Sequence, residues 1–352
     1  MDSALKVFRS QSTRRERLTQ PCTLPMSPSM FPNDLSLPYI DQSFCRLSPE
    51  PLRSITPSTK STSPLNTELS PFKSQLPLDL PIVTAKAWSV CDGQSGDILW
   101  AVNGKERREM ASLTKITTCY IVLRLLKRIP GVSLYTSVKV SKTAAQVIGT
   151  SADLEEGDEV TVWDLLHGLM LPSGNDAAYC LAEFFGRLLH DCLEKESPSR
   201  NYVSYFVRKM NSFAKKHKLR STSFSNPHGL ADPTNRSNAT DLAKLASLCM
   251  RNSRFRELVS TKRFTSLIYQ PQRRCYKRLT WLNTNKLLDG LWIGVKTGVT
   301  HTAGPCLIAC CKTETKNQRL IIVLLGCNSL EQRWTEASLL ANWATDKFSF
   351  ST

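Results

Sequence analysis

Downstream of Ile82 the apolar residues of this 352-residue chain follow one order: two strand-length runs, five helical runs, three strand-length runs and a closing helix. Strands at both ends of a helical block must pair with each other to bury their apolar faces. That order confines the chain to an α+β architecture with one sheet built from N- and C-terminal segments. TAKAWSVCD (84–92) and GDILWAVN (96–103) are the first two expected strands, joined by a DGQSG turn. SLTKITTCYIVLRLLKR (112–128) is an apolar helix ended by Pro130-Gly131. TVWDLLHGLM (161–170) and NDAAYCLAEFFGRLL (175–189) are helices interrupted at LPSGN, and residues 201–219 and 238–252 form two more, both amphipathic. LWIGVKTG (291–298), GPCLIACCKTE (304–314) and QRLIIVLLGC (318–327) are strands, the last two a hairpin, and residues 329–348 close the chain as a helix.

Residues 1–80 differ in kind. They are dense in Pro, Ser and Thr without sustained periodicity, and such a segment buries too little apolar surface to offset its ordering entropy. The expected organisation is a disordered Ser/Thr/Pro-rich tail over 1–80 and a catalytic domain over 81–352. Five Ser/Thr-Pro pairs begin at Ser27, Ser48, Thr56, Ser63 and Ser70; they suit proline-directed phosphorylation, or equally an unregulated linker.

The net charge of +16 is not clustered: residues 1–80 hold nine Lys/Arg against seven Asp/Glu, which leaves +14 spread over the rest. No RNA-binding signature accompanies it, so the expectation is a diffuse field favouring anionic ligands, with no nucleic-acid partner. Twelve cysteines are scattered with no CxxC pair and no histidine at zinc spacing, so no metal and no cofactor is expected; free buried thiols in a reducing compartment account for them. No apolar run is long enough to span a membrane, and the N-terminus has no apolar signal core. Its Arg- and Ser-rich, acid-poor composition leaves a transit peptide open. The expected location is cytoplasmic or organellar, with no transmembrane segment or membrane anchor.

Within MASLTKITT, Ser112 precedes Lys115 by three residues at the opening of the apolar helix. Alone, this reads as a helix start, with Ser112 an N-cap and Lys115 a solvated side chain. Two further motifs change its weight. LPSGND places Ser173, Gly174 and Asn175 between two helices, and VKTG places Lys296, Thr297 and Gly298 at a strand end. SxxK, SxN and KTG in that order form the motif set of penicillin-binding proteins and β-lactamases. The chemistry fits: Ser112 needs a base, Lys115 lies on its face of the helix, and burial beside Lys296 would keep Lys115 neutral. Ser173 would relay a proton to the leaving amine, and Asn175 would orient Lys115 and the substrate amide. Lys296 and Thr297 would hold a substrate carboxylate, and the backbone N–H groups of Ser112 and Val299 would form an oxyanion hole.

From about Ile82 to Phe348 the chain resembles the D-alanyl-D-alanine carboxypeptidases, the low-molecular-mass penicillin-binding proteins of serine peptidase family S11. ASLTKITT, LPSGNDAA, NPHGL, NTNKLL, KTGVTHTAG and SADLEEGDEVTVWDLLHGLM carry the resemblance. It implies a penicillin-binding-protein/β-lactamase-like transpeptidase fold, removal of the terminal D-alanine from peptides ending in D-Ala-D-Ala, and β-lactams as inhibitors. By the same resemblance Arg319 helps bind the carboxylate; as a strand-edge charge it needs no such role. His228 is expected as a structural turn residue and His301 as a neighbour of the pocket. Bacterial members usually carry a secretion signal, a second small β-domain and an amphipathic anchor; none is expected here, which touches localisation and substrate more than chemistry. A related serine hydrolase of the same fold (β-lactamase, esterase or amidase) and a catalytically idle peptide-binding domain are the alternatives. No glutamate is identifiable for activating a deacylating water.

Overall fold

Residues 320–325, LIIVLL, are apolar without alternation, and the structure explains why: both faces of the strand they form are covered. The computed structural model describes residues 80–193, 201–313 and 318–348. The expected tail and its Ser/Thr-Pro pairs therefore lie, apart from Leu80, outside the described residues. The chain begins with β1 (Ala87–Asp92), β2 (Ile98–Val102) and the two-residue β3 (Arg108–Glu109). A 3-10 turn over Ala111–Leu113 runs into α1 (Thr114–Leu126), followed by β4 (Ser137–Lys139), α2 (Lys142–Ala145) and β5 (Glu159–Thr161). Helices α3 (Val162–Met170), α4 (Asn175–Leu193) and α5 (Tyr202–Lys216) come next. After β6 (Arg236–Ser237) stand α6 (Ala239–Met250), α7 (Ser253–Ser260) and the hairpin β7 (Arg263–Gln270) and β8 (Cys275–Leu282). The chain returns to the main sheet through β9 (Trp292–Thr300), β10 (Gly304–Lys312) and β11 (Arg319–Leu325), and α8 (Gln332–Lys347) closes it.

The main sheet has the order β2-β1-β11-β10-β9 and is antiparallel throughout, with Ala87 opposite Leu325 and Asp92 opposite Leu320. The expected joining of N- and C-terminal segments is thus a direct β1–β11 pairing. Leu320, Ile322 and Leu324 pack with Trp88, Val90 and Leu307 beneath Trp334, Ala337 and Leu340 of α8. Ile321, Val323 and Leu325 face the opposite way, into the core shared with the helical block. At the centre of that block lies α1, with eleven of its thirteen residues buried; a helix apolar all round must sit inside. Eight cysteines among the described residues are free and buried.

The sequence pattern did not announce a second sheet, ordered β4-β5-β7-β8, which backs the 150–158 loop. Two of its strands are only three residues long, below any readable period. The other two are joined by Pro271-Gln272-Arg273-Arg274, which lacks the glycine or asparagine that marks a hairpin.

Candidate active site

Ser112 sits in the 3-10 turn rather than at a cap: neither Met110 nor Leu113, the residues that precede the two helical segments, makes a side-chain capping bond. The N-cap reading of Ser112 is therefore replaced. Ala111 just before it has φ +49°, a left-handed conformation that alanine rarely adopts, and this turns the serine out of the helix direction. Lys115, one helical turn on, is fully buried and places Nζ 2.9 Å from Ser112 Oγ, 2.7 Å from Asn175 Oδ1 and 2.7 Å from the His228 carbonyl. Protonated, its three N–H bonds match these three oxygens. Neutral, its lone pair can receive the Ser112 proton. Burial, and then the charge of Lys296, drive its pKa well below the ordinary lysine value, while Asp176 acts in the opposite direction.

The loop between α3 and α4 delivers Ser173 and Asn175. Ser173 is held at φ +68° with its carbonyl accepting from Thr150 Oγ1 at 2.6 Å, and its own hydroxyl is buried without a protein partner. A buried hydroxyl left unpaired is costly, so its proton is available to a reacting group. Asn175 is pinned at both ends: its Nδ2 donates to the Ile148 carbonyl at 2.7 Å while Oδ1 accepts from Lys115. Asp176 supports the opposite wall. Its carboxylate accepts from Ser151 Oγ at 2.6 Å and from the Ala152 and Leu154 N–H groups, and burial raises its pKa.

Strand β9, the free edge of the main sheet, supplies the third wall. Gly298 passes so close that a Cβ there would lie 3.1 Å from the Ser112 nitrogen and 3.1 Å from the Met110 carbonyl. Val299 stands opposite Pro305, whose carbonyl accepts from Cys327 N–H at 2.9 Å on the β11 side. A residue's N–H and C=O share one edge of its strand and alternate along it, so the Val299 N–H points off the free edge toward the Ser112 turn. The Ser112 N–H lies in a first helical turn and has no partner within it. Two converging donors are the elements of an oxyanion hole.

Lys296 is also buried, and its Nζ is 3.5 Å from Thr297 Oγ1; burial, then the charge of Arg333, bring its pKa down to about 7. Arg333, from α8, was not singled out by any motif. It lies in an amphipathic helix where a surface role is the ordinary reading, yet it is 8% exposed, reaches the Gly298 and Cys306 carbonyls at 3.5 and 3.4 Å, and leaves its Nε unpartnered. Two buried cations beside an unpaired donor describe a binding place for an anion.

Ser112, Lys115, Ser173, Asn175 and Lys296–Val299 are thus brought together. Arg319 is not. It opens β11 opposite Lys312, and its guanidinium contacts the Met250 carbonyl at 3.4 Å, whereas the residue of β11 in register with Lys296 is Val323, through Ile308 of β10. Its charge stands at the start of β11, the central strand of the main sheet. His301 is exposed in the β9–β10 turn. His228 acts through its backbone, as a turn residue: its carbonyl holds Lys115, its Nδ1 accepts from Leu230 N–H at 3.2 Å, and burial with the Lys115 charge lowers its pKa to about 3. Among the described residues no cluster of His, Cys, Asp or Glu could hold a metal ion, and no helix is long and apolar enough to cross a membrane.

The sequence profile of the D-alanyl-D-alanine carboxypeptidase family, Peptidase_S11, matches residues 74–329. The D-alanyl-D-alanine carboxypeptidase of Streptomyces sp. (strain K15) is 33% identical over 75% of this chain and 88% of its own length. The D-alanyl-D-alanine carboxypeptidase DacC of Escherichia coli (strain K12) is 34% identical over 77% of this chain, but the match spans only 64% of that protein. The crystal structure of the Streptomyces K15 DD-transpeptidase superposes with a TM-score of 0.67 at 32% identity, covering 76% of this chain and 98% of that one. With its three motifs converging on Ser112 in that fold, the chain belongs to the D-alanyl-D-alanine carboxypeptidases of serine peptidase family S11.

Proposed function

We propose that the protein removes the terminal D-alanine from peptidoglycan-type peptides ending in D-Ala-D-Ala, through an acyl-enzyme on Ser112, and that β-lactams trap it at that stage. The observation that carries the reading is Lys115: a lysine without exposure, bonded to three neutral oxygens, one of them the hydroxyl it would deprotonate. Neutral Lys115 takes the Ser112 proton as Oγ attacks the carbonyl carbon of the penultimate residue. The oxyanion is held by the Ser112 and Val299 N–H groups, each worth about a hundred- to a thousandfold in rate. Ser173, with its unpaired hydroxyl, passes the proton to the departing amine as the C–N bond breaks. Water then attacks the ester, releases the shortened peptide and restores the serine. Lys296, Thr297 and Arg333 receive the terminal carboxylate.

Incubation with benzylpenicillin followed by intact-mass measurement tests this. A stable adduct on the wild type and none on Ser112→Ala is expected. An adduct on neither protein, or equally on both, would defeat the reading.

A further inference from the structure

Thr284 stands where β8 ends, in a turn held rigid by its neighbours. Asn283 Nδ2 donates to the Thr261 carbonyl at 3.0 Å, its Oδ1 accepts from Asn285 N–H at 2.9 Å, and Asn285 Oδ1 accepts from Leu287 N–H at 2.9 Å. Thr284 itself spans two walls of the site. Its N–H donates to the Leu171 carbonyl at 3.1 Å, two residues before Ser173, and its hydroxyl oxygen lies 2.7 Å from Thr297 Oγ1.

That hydroxyl pair constrains what Thr297 can offer. A hydroxyl has one proton and two lone pairs. The Lys296 ammonium faces Thr297 Oγ1 from 3.5 Å and occupies one lone pair. If Thr297 donated to Thr284, no proton would be left for an incoming anion. If Thr284 donates, the second lone pair of Thr297 is filled and its own proton is free to turn into the cleft. An anion beside Lys296 and Arg333 selects the second arrangement, because linked donors polarise one another and strengthen the last bond in the row.

We propose that Thr284 is a positioning residue for the substrate's terminal carboxylate: it donates to Thr297 Oγ1 and thereby directs the Thr297 proton onto the anion. The inference rests on the carboxypeptidase reading and adds to it a residue outside the three motifs. Valine keeps the shape of threonine and removes the donor, whereas serine keeps the donor.

The test compares acylation of full-length protein by benzylpenicillin, which carries a carboxylate, with acylation by its methyl ester, which does not. Second-order rates are read by intact mass. Loss of one neutral donor in such a row should cut the acid-to-ester rate ratio by about five- to tenfold in Thr284→Val, and Thr284→Ser should restore it. Thr284→Ala is read in the same way should the valine variant fold poorly, with the melting temperature recorded for each. An unchanged ratio, with both rates lowered together or neither moved, overturns the inference and leaves the carboxypeptidase reading standing. A wild type that benzylpenicillin does not acylate at Ser112 overturns both.

Discussion

Two lysines are buried in the cleft with neutral hydrogen-bond partners, and each has work that depends on its protonation. In the proposed mechanism Lys115 must be neutral to accept the Ser112 proton, and Lys296 must be charged to attract a carboxylate. Activity should therefore rise with pH as Lys115 sheds its proton and fall as Lys296, brought to about 7 in the free protein, loses its own. The same shift acts on stability. An unfolded lysine titrates near 10.4, so between about 7 and about 10.4 the unfolded chain holds a proton that folded Lys296 has released. Stability then rises with pH across that window, and at pH 7 and below the fold bears the full cost of the buried amine. Lys296→Met should stabilise the protein by about 2–4 kcal/mol at pH 7, the advantage shrinking toward pH 10, while acylation by penicillin is largely lost. Urea unfolding curves at pH 7 and pH 10 check this; a variant no more stable at pH 7 would show that the cavity left by the ammonium outweighs the relief.

The nucleophile's turn is positioned by the loop that also supplies the His228 carbonyl to Lys115. Thr118 Oγ1 donates to the Pro227 carbonyl at 2.6 Å, which fixes the NPHGL segment along α1, and Gly229 at φ +88° then passes over the Ser112 turn. A Cβ at Gly229 would lie 1.9 Å from the Ala111 carbonyl oxygen. Gly229→Ala should cost about 2–4 kcal/mol, combining left-handed strain with a backbone collision. It should also slow acylation about a hundredfold, because the turn must move by the better part of an ångström. Melting curves and penicillin labelling measure the two effects, and a variant of wild-type stability and rate would remove the loop from this account. The element boundaries show what was legible beforehand. Helix α1 and strands β9 to β11 were plain because long apolar runs bounded by Pro-Gly, Gly and charge have few alternatives. The three motifs were plain because their order is improbable. The left-handed Ala111 and Ser173 were not, since neither residue type advertises a positive φ, and neither were the three-residue strands of the second sheet. Arg319 was misassigned because a lone arginine near an apolar strand carries no address: register alone separates it from Lys296.

Arg333 shows how the layers of the whole molecule meet at the cleft. Helix α8 covers the face of the main sheet turned away from the helical block, yet its arginine reaches the Gly298 and Cys306 carbonyls on β9 and β10 and contributes to the low pKa of Lys296. The sheet is only one strand thick, so a cation on its far face can still act on the catalytic face near the free edge of β9. Helix α8 thus does two things at once: Trp334, Leu340 and Trp343 close the second core, and Arg333 stands where the proposed mechanism needs a cation for the carboxylate. Replacing it separates these roles. In Arg333→Met the stem still packs on Trp334, over whose ring the guanidinium now lies at 4.5 Å. Removal of its charge should weaken acylation by benzylpenicillin about ten- to a hundredfold, the range for a lost charge-assisted contact. The same removal relieves Lys296 of the like charge that, after burial, lowers its pKa, so the alkaline limb of the acylation profile should move up from about 7. The two shifts have opposite consequences above neutrality: the variant starts slower but keeps its charged lysine to higher pH. A pH series of acylation rates on both proteins resolves them, and a slower variant with an unmoved alkaline limb would mean that Arg333 binds the carboxylate without setting the charge of Lys296.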